Sequence, residues 1–513
     1  MSTPEEAVGL AGQGVVPKVR GAMGRLDDAA VRELLQTLEA AAWARHCVAE
    51  RDGRLEAVRV MPRPLALTAD QLRHLHVTSL ALLRATQRVV PMFLADAAVR
   101  AALPVPDEAA AWLRERWTPA VAEANLDFGQ IDAVFDPAGA DWTHSLRFLG
   151  LDRPRVATLH LLPAAERVVR DAVFPVLEAL DPSLTFELAA DVRALLLQRL
   201  LGHLEALRDG ERSLCLLAAS RDEADAGVSG SPAASATNAP AATGEGSARR
   251  AAARRGFDAH VELAQYGLTH FGVTALHADL SELELRGQEV WCQGQRVSVA
   301  YRDESVSDLR ALGARGVDVE PLRQLFLQNR MVSPMGGELD QKALFEVFTD
   351  EAHARHFSSG ERRLFHRHVP WTRLVRERRT SLPDGREGEL VSYARGARET
   401  LVLKPNRASG GSGVLVGPTV TAKAWDAALE QALRAPDTLV VQQLAPVPVM
   451  EFPVVGRDEQ VHAEPFFVVL RLAPTDDGVS VVGRASLQRG LNIAQRGGLV
   501  VAAVVHGSER VVR

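Results

Sequence analysis

A lysine followed by a glycine-rich turn makes residues 399–417, ETLVLKPNRASGGSGVLVG, a candidate anion-binding loop. Glycine has no Cβ, so backbone N–H groups in such a turn can come close to phosphate oxygens. A lysine beside the turn adds a positive point charge for the same oxygens. We therefore interpret Lys404 with Gly410, Gly411 and Gly413 as a phosphate cradle. The alternative is a tight hairpin turn that happens to contain glycine, and the glycines alone do not separate the two.

Three common nucleotide-binding motifs do not fit this loop. The pattern GxxxxGK[ST] of a P-loop is absent from the sequence. A Rossmann turn opens a helix, whereas the residues after this turn, VLVG, continue as a strand. The lysine, H-R-D and D-F-G signatures of protein kinases are also missing. The loop therefore belongs to another kind of nucleotide site, if it binds a nucleotide at all.

The elements that must position this loop fall into five segments along the 513 residues. Hydrophobic spacing predicts helices through much of the first 205 residues, and Thr68 with Gln71 has the spacing of a capping box. Antiparallel strands with one covering helix dominate the end of the chain, which indicates an α+β module. The predicted segments are a helical N-terminal arm at 1–60, an N-terminal half at 61–220, an insertion at 221–256, an α/β domain at 257–330 and the loop-bearing module at 331–513.

Four stretches carry the clearest strand patterns outside that module. FGQIDAVFD and THSLRFLGL predict a strand pair, and RSLCLLAAS predicts a buried strand. EVWCQGQRVSVAYRD predicts a hairpin whose second strand alternates through Val297, Val299 and Tyr301. The fold class predicted from these elements is α/β, built of α+β modules.

The insertion at 221–256 consists mostly of Ala, Ser, Gly, Pro and Thr and has almost no large apolar residue. Such a composition cannot bury enough apolar surface to offset its ordering entropy, so we expect it to be disordered. Arg249, Arg250, Arg254 and Arg255 close this stretch. They fit a solvated linker end, with contact to RNA or another acidic partner as the alternative.

The order strand, lysine, glycine loop, strand, helix, strand in 400–446 resembles the nucleotide-binding half of an ATP-grasp enzyme. Further stretches resemble the circularly permuted ATP-grasp proteins related to glutathionylspermidine synthase. They are VSVAYRDE (297–304), VSPMGGELDQKALFEVFTD (332–350), RRLFHRHVPWTRLV (362–375) and VVGRASLQRGLNIAQRGG (481–498). The similarity covers 257–510 well and 60–220 weakly. It implies a circularly permuted ATP-grasp fold behind the helical arm.

The resemblance also implies a role for individual residues. Lys342 and Lys404 would reach the nucleotide phosphates beneath a lid formed by Gly410, Gly411 and Gly413, with Asn406 next to them. Gln442 and Gln443 would flank the adenine. Arg302 and Arg484 would serve catalysis by offering guanidinium groups to anions, while Asp132 and Asn492 would lie at the metal.

The metal site is where the sequence departs from the family pattern. The permuted relatives supply Mg²⁺ ligands from an Arg-x-Asp strand followed by a Glu-x-Asn strand. Here Asp132 matches, but Gln130 stands for the arginine, and Phe148 and Gly150 fall on the Glu and Asn positions. Asp136 and Asp152 are nearby carboxylates that could substitute.

The implied function is an ATP-dependent carboxylate–amine ligase that acts through an acyl phosphate and gives ADP and phosphate. Its cofactors would be ATP and Mg²⁺, and its substrates a small or peptidic acid and an amine. The alternative is a degenerate ATP-grasp protein that binds nucleotide, or serves as a scaffold, without catalysis.

The charge, the aromatic content and the cysteines of the sequence limit which partners and which cellular compartment we expect. The net charge of −6 and an aromatic content of 5% argue against nucleic acid as the main partner. Three scattered cysteines predict neither a disulfide framework nor a zinc site. The N-terminus has no signal-peptide pattern and no apolar run reaches membrane-spanning length, so we expect a cytoplasmic protein.

Overall fold

The computed structural model describes residues 14–51, 54–123, 128–152, 159, 161–208, 213–218, 259–302, 306–332, 339–407, 413–456, 458–487 and 497–507. The predicted insertion at 221–256 lies outside these residues. In the described part, runs of helices and runs of strands form a mixed α/β fold, as the sequence predicts.

The helices are distributed over the whole described chain. They are α1 Val15–Met23, α2 Asp28–Ala44, α3 Ala69–Gln87, α4 Val89–Ala95, α5 Ala97–Ala102, α6 Asp107–Arg116, α7 Pro119–Glu123, α8 Trp142–Ser145, α9 Leu161–Ala172, α10 Phe174–Leu180, α11 Val192–Ala206, α12 Ala259–Phe271, α13 Val306–Ala314, α14 Glu320–Leu327, α15 Leu344–Thr349, α16 Ser359–His368, α17 Leu390–Gly396 and α18 Ala422–Arg434.

The strands are concentrated in the second half. They are β1 Val48–Arg51, β2 Arg54–Ala57, β3 Leu65–Leu67, β4 Gln130–Val134, β5 Arg147–Asp152, β6 Leu184–Leu188, β7 Leu214–Ala218, β8 Ala275–Asp279, β9 Leu283–Arg286, β10 Glu289–Cys292, β11 Gln295–Arg296, β12 Val299–Arg302, β13 Met331–Val332, β14 Thr372–Leu374, β15 Arg379–Ser381, β16 Glu387–Glu389, β17 Leu401–Pro405, β18 Leu415–Val416, β19 Leu439–Gln443, β20 Val449–Val455, β21 Val461–Thr475, β22 Gly478–Ser486 and β23 Gly498–Gly507.

The largest sheet joins the two ends of the chain. Its strand order is β3-β23-β22-β21-β4-β5, with β20 added to β21 and β6 added to β23. The C-terminal strands β21, β22 and β23 thus pair with β4 and β5 from the N-terminal half. Strands more than 300 residues apart in sequence are neighbours in this sheet.

Two four-stranded sheets flank this large sheet. One has the order β13-β12-β7-β8 and all its pairs are parallel. The other has the order β14-β19-β17-β18 and is antiparallel throughout. The second sheet carries the predicted lysine strand.

Burial divides the described chain into four apolar cores. The two largest lie on opposite faces of the large sheet: one includes Ile131, Leu470 and Leu472, and the other includes Leu499 and Val501. A third core packs against the parallel sheet. A fourth core lies between the antiparallel sheet and helices α17 and α18. The two largest cores also contain residues of the smaller sheets, so the burial of apolar side chains joins each four-stranded sheet to the large one.

Several local predictions are confirmed. The Thr68–Gln71 capping box forms at the start of α3, with both reciprocal hydrogen bonds present. The pairing of FGQIDAVFD with THSLRFLGL is observed as β4 with β5, and RSLCLLAAS contains β7. None of the described helices has the length and apolar character needed to cross a membrane.

Two predictions require correction. The N-terminal arm is not wholly helical, because 48–57 forms the β1–β2 hairpin. The hairpin predicted across 289–303 is limited to β10 and β11. Its expected second strand continues instead as β12, which pairs in parallel with β7 and β13 and is buried on both faces. Alternation alone could not distinguish these outcomes, since a parallel strand is apolar on both sides.

Candidate functional site: a lysine face opposite an arginine-paired aspartate

The two faces of the antiparallel sheet differ: one packs against α18, and the other carries polar groups among buried apolar side chains. Partners across a ladder share a face, and Val402 pairs with Val416 and with Gln442. Lys404 lies on the same face because it is two residues from Val402. The opposite face carries Leu401, Leu403 and Val441, which pack in one core with Trp425 of α18. Helix α18 thus packs against one face of the sheet, and Lys404 and Gln442 lie on the other face.

Lys404 is held by two neutral acceptors. Its Nζ donates to Gln442 Oε1 at 2.6 Å and to the backbone oxygen of Leu149 at 3.3 Å. Burial and the nearby charge of Lys342 lower the pKa of Lys404 to about 7, although Asp132 acts in the opposite direction. An ammonium ion in these surroundings gains free energy from an approaching anion, because no full negative charge is bonded to it.

Gln442 is fixed in the orientation that presents oxygen to the lysine. Its Nε2 donates to Thr372 Oγ1 at 2.9 Å, and that hydroxyl donates to the backbone oxygen of Pro370 at 2.9 Å. Gln442 and Thr372 are both buried. Because Gln442 donates to Thr372 through Nε2, its Oε1 points the other way and accepts from Lys404.

Asn406 connects the lysine strand to the segment that carries Lys342. Its Oδ1 accepts from the backbone N–H of Ala343 at 3.0 Å, and its Nδ2 donates to Gln341 Oε1 at 2.8 Å. The backbone N–H of Lys342 donates to the backbone oxygen of Asn406 at 2.9 Å. Asn406 is buried, and these contacts give it a positioning role toward Lys342. Its predicted contact with the nucleotide remains a prediction.

A bulge in β5 explains how a backbone carbonyl reaches Lys404. Asp132 pairs with Gly150 but the next residue, Ala133, pairs with Phe148, so Leu149 is an extra residue in β5. A bulge leaves its extra residue out of the ladder and redirects its backbone groups. The Leu149 oxygen is thereby available to the lysine of the other sheet, and the β4–β5 edge is joined to the lysine face.

Asp132 lies on that same edge and is paired with two arginines. Its Oδ1 is 3.0 Å from Arg471 Nε and 2.9 Å from an Nη of Arg484. Arg471 also donates to Gln130 Oε1 at 3.3 Å. Burial on its own would raise the pKa of Asp132, but the charges of Arg484 and Arg471 hold that pKa well below its ordinary value. Asp132 is therefore an ionised carboxylate whose bonds are directed at guanidinium groups.

The described residues do not fit a Mg²⁺ site at this position. Magnesium in nucleotide sites is held by carboxylate oxygens together with phosphates and water. Asp132 is bonded to two cations, Gly150 opposite it has no side chain, and Phe148 is buried in the apolar core. No group of three or more His, Cys, Asp or Glu side chains in the described part of the chain could hold a metal ion. The Asp152 side chain and Asn492 lie outside the described residues.

A cavity opens at the end of β19, where the resemblance places an adenine. Its volume is about 390 Å³. It is lined by Glu399, Thr400, Val416, Gln443, Leu444, Ala445, Pro446 and Val447. Val416 belongs to the same sheet face as Lys404, whereas Gln443 pairs with Leu401 of the opposite face, so the cavity lies at the end of the sheet.

The remaining predicted residues have separate outcomes. Gly410 and Gly411 lie outside the described residues. Gly413 has a φ of 71°, and a Cβ there would be 2.9 Å from Pro405 Cγ, so the turn requires glycine at this position. Arg302 is buried at the end of β12 in the parallel sheet, where its guanidinium lies 5.1 Å from the ring centre of Phe326. The structure thus brings Lys404 and Gln442 together on the antiparallel sheet, pairs Asp132 with Arg484 on the large sheet, and places Arg302 on the parallel sheet.

Sequence reasoning missed three parts of this arrangement: Arg471, Thr372 and the Leu149 carbonyl. Arg471 could have been noticed, because a lone arginine interrupts the apolar run FFVVLRLAP of a long strand. Thr372 and the bulge leave no signal in the sequence, since both depend on which strands become neighbours.

Comparisons with known proteins support the fold. No model of a known protein family matches the sequence, and no curated protein matches it either. Among solved structures, the chain is similar to a glutathione synthetase-like effector from Globodera pallida in its apo form. The TM-score is 0.58 at 9% identity, over 94% of this chain and 98% of the other. The similarity supports the predicted mixed α/β fold at the level of architecture.

Proposed function

We propose that this protein binds an adenine nucleotide. The polyphosphate lies against Lys404 and Lys342, and the base enters the cavity lined by Gln443 to Val447. The observation that carries the proposal is the amine of Lys404, which is bonded to two neutral oxygens at a place where Lys342 adds like charge. A bound polyanion relieves that repulsion and takes over as charge-assisted acceptor.

The experiment is a calorimetric titration with ATP, carried out both with Mg²⁺ and with EDTA. Lys404→Met keeps the length and apolar part of the side chain but removes the charge. We expect it to weaken ATP binding roughly 10- to 100-fold, the range for one hydrogen bond to a charged group. Lys423→Met, on the exposed side of α18, is the matched control and should leave the affinity unchanged.

The proposal fails if the wild-type protein binds ATP in neither buffer. It also fails if Lys404→Met and Lys423→Met bind ATP as well as the wild type does.

A second candidate is the carboxylate–amine ligase that the resemblance implies. The similarity to a protein named for glutathione synthetase favours it. Its chemistry needs an acyl phosphate, and the protein would have to position the terminal phosphate and the acid while neutralising charge. The arginine-paired Asp132 argues against a metal-assisted form of that reaction.

ADP release over a panel of acids and amines tests this candidate. Release that requires one particular acid and amine, and that is lost in Lys404→Met but kept in Lys423→Met, would establish a ligase. ATP binding without release over the whole panel would favour the non-catalytic alternative.

A further inference from the structure

We infer that the nucleotide site works without a divalent cation, with Asp132 acting as counter-ion to Arg471 and Arg484 rather than as a metal ligand. The inference rests on the proposed nucleotide binding. It concerns how the charge of the polyphosphate is balanced, which the resemblance would assign to Mg²⁺.

The first step is the position of the arginine pair. Leu149 accepts from Lys404, and its neighbour Gly150 is the ladder partner of Asp132. Ladder partners have Cα atoms about 5 Å apart. Asp132 is close enough for its charge to act on Lys404. The guanidinium groups bonded to Asp132 come from β21 and β22, the strands next inward from the β4–β5 edge that the lysine contacts.

The second step is the state of Asp132. A carboxylate can bind a metal only if its oxygens are available and the approaching cation meets no like charge. Asp132 Oδ1 already accepts from both Arg471 and Arg484 at normal hydrogen-bond distances. A magnesium ion at this carboxylate would have to displace two guanidinium groups or lie against them, and both are unfavourable.

The third step is what guanidinium groups do for phosphates. Arginine is always charged and presents several N–H donors in a plane, so it can bind phosphate oxygens through two parallel hydrogen bonds. Arg471 and Arg484 are on neighbouring strands of a rigid sheet, so their positions are set before the nucleotide arrives. They supply the positive charge that a bridging cation would otherwise bring.

The decisive measurement is ATP affinity in EDTA compared with affinity in excess Mg²⁺, for the full chain. Free ATP carries more negative charge than its magnesium complex, so we expect affinity in EDTA to equal or exceed affinity in Mg²⁺. A drop of tenfold or more in EDTA would overturn the inference while leaving nucleotide binding intact. No binding in either buffer would instead contradict the proposed function.

Asp132→Asn gives a second test whose sign separates the two roles. The substitution keeps a side-chain oxygen for the arginines but removes the negative charge. If Asp132 is a counter-ion, ATP affinity in EDTA should increase about threefold to tenfold, because one repulsive charge is lost. If Asp132 were a metal ligand, affinity in Mg²⁺ would fall and affinity in EDTA would not rise.

Arg471→Met completes the set. We expect it to lower ATP affinity in EDTA by roughly tenfold and to reduce the salt dependence of binding, as for a lost charge-assisted contact. Arg363→Met, on the exposed side of α16, is the control for removing an arginine and should change neither. Equal affinities in the two variants would count against a role for Arg471 at the site.

Discussion

Lys404 and Asp132 lie on two sheets that meet at the Leu149 carbonyl, and their bonded partners are of opposite kinds. The cation, Lys404, is bonded to an amide oxygen and a backbone oxygen, both neutral. The anion, Asp132, is bonded to two cations. An anion would therefore gain binding free energy at Lys404, whereas a metal ion would gain little at Asp132.

The pKa shifts follow the same contrast. Burial and Lys342 lower the pKa of Lys404, so its charged form is disfavoured until a ligand arrives. Two arginines lower the pKa of Asp132, so its charged form is stabilised before any ligand arrives. Lys404 would therefore be stabilised in its charged form by a bound anion, whereas Asp132 is already stabilised in its charged form by the fold.

The largest effect we expect is on how stability depends on pH, measured as the difference between wild type and Lys404→Met. The pKa of Lys404 is about 7 in the folded protein and near the ordinary lysine value of 10.5 when unfolded. Between these values the unfolded chain binds more protons, so wild-type stability rises with pH by up to about 1.4 kcal/mol per pH unit from this group.

Lys404→Met should lack that rise and should exceed the wild type in stability most clearly below about pH 7. Urea denaturation at several pH values measures the difference. Parallel curves for the two proteins from pH 6 to 10 would show that the lysine is not held in an unfavourable charged state.

The next effect should come from Asp132→Leu. Removing the carboxylate leaves two guanidinium groups facing each other without their shared acceptor, and we expect a loss of about 2 kcal/mol, reduced by partial solvent screening. Since the folded pKa of Asp132 is depressed, its contribution is present above the unfolded pKa, near 4, and is lost as pH falls below it.

Thermal and urea unfolding at neutral and acidic pH give the comparison, with Glu430→Leu on the exposed side of α18 as control. If the Asp132→Leu variant is as stable as the wild type, the two arginines do not depend on this carboxylate.

A comparable or smaller effect is expected from Asn406→Ala. The backbone N–H of Ala343 and the amide oxygen of Gln341 would lose buried partners, which predicts a loss of roughly 1–3 kcal/mol in unfolding free energy. ATP affinity should fall several-fold, since Lys342 is held in place through this contact.

Hydrogen exchange of the amides near Ala343 separates positioning from direct contact with the nucleotide. Faster exchange without ATP, together with weaker binding, supports positioning. Weaker binding with unchanged exchange would instead support a direct role for Asn406.

The surroundings of Lys404 could largely be predicted from the sequence. Lys404 stands at the end of an apolar run and is followed by proline and glycines, so its strand end and turn are local features that sequence patterns encode. The β4–β5 pair was also predictable, because alternation and short spacing favour neighbours in sequence.

The arginine side was not predictable in the same way. Arg471 contacts Asp132 across 339 positions of the chain. Nothing local to either residue indicates that β21 will pair with β4, and the bulge at Leu149 depends on the exact register of β4 with β5, which alternation does not specify. Asn406, predicted at the nucleotide, proved to be engaged by the Gln341–Ala343 segment for the same reason: its partners are distant in sequence.

The smallest change in stability, and the sharpest test of the comparison, is expected from Gly150→Asp. A Cβ at Gly150 meets no atom within 4 Å, so a side chain fits there and stability should change by no more than about 0.5 kcal/mol. The new carboxylate lies opposite Asp132 in the ladder and adds a second acidic group to the edge. Combined with Arg471→Gln, it should make ATP affinity increase about threefold or more when Mg²⁺ is added.

Gly150→Ala combined with Arg471→Gln is the matched control, because it adds volume but no charge. Calorimetry with and without Mg²⁺ compares the two double variants. If both respond equally to Mg²⁺, the missing carboxylate is not what separates this edge from a metal site. If only the double variant with Gly150→Asp responds to Mg²⁺, the residues at positions 150 and 471 account for the difference between this edge and a metal site.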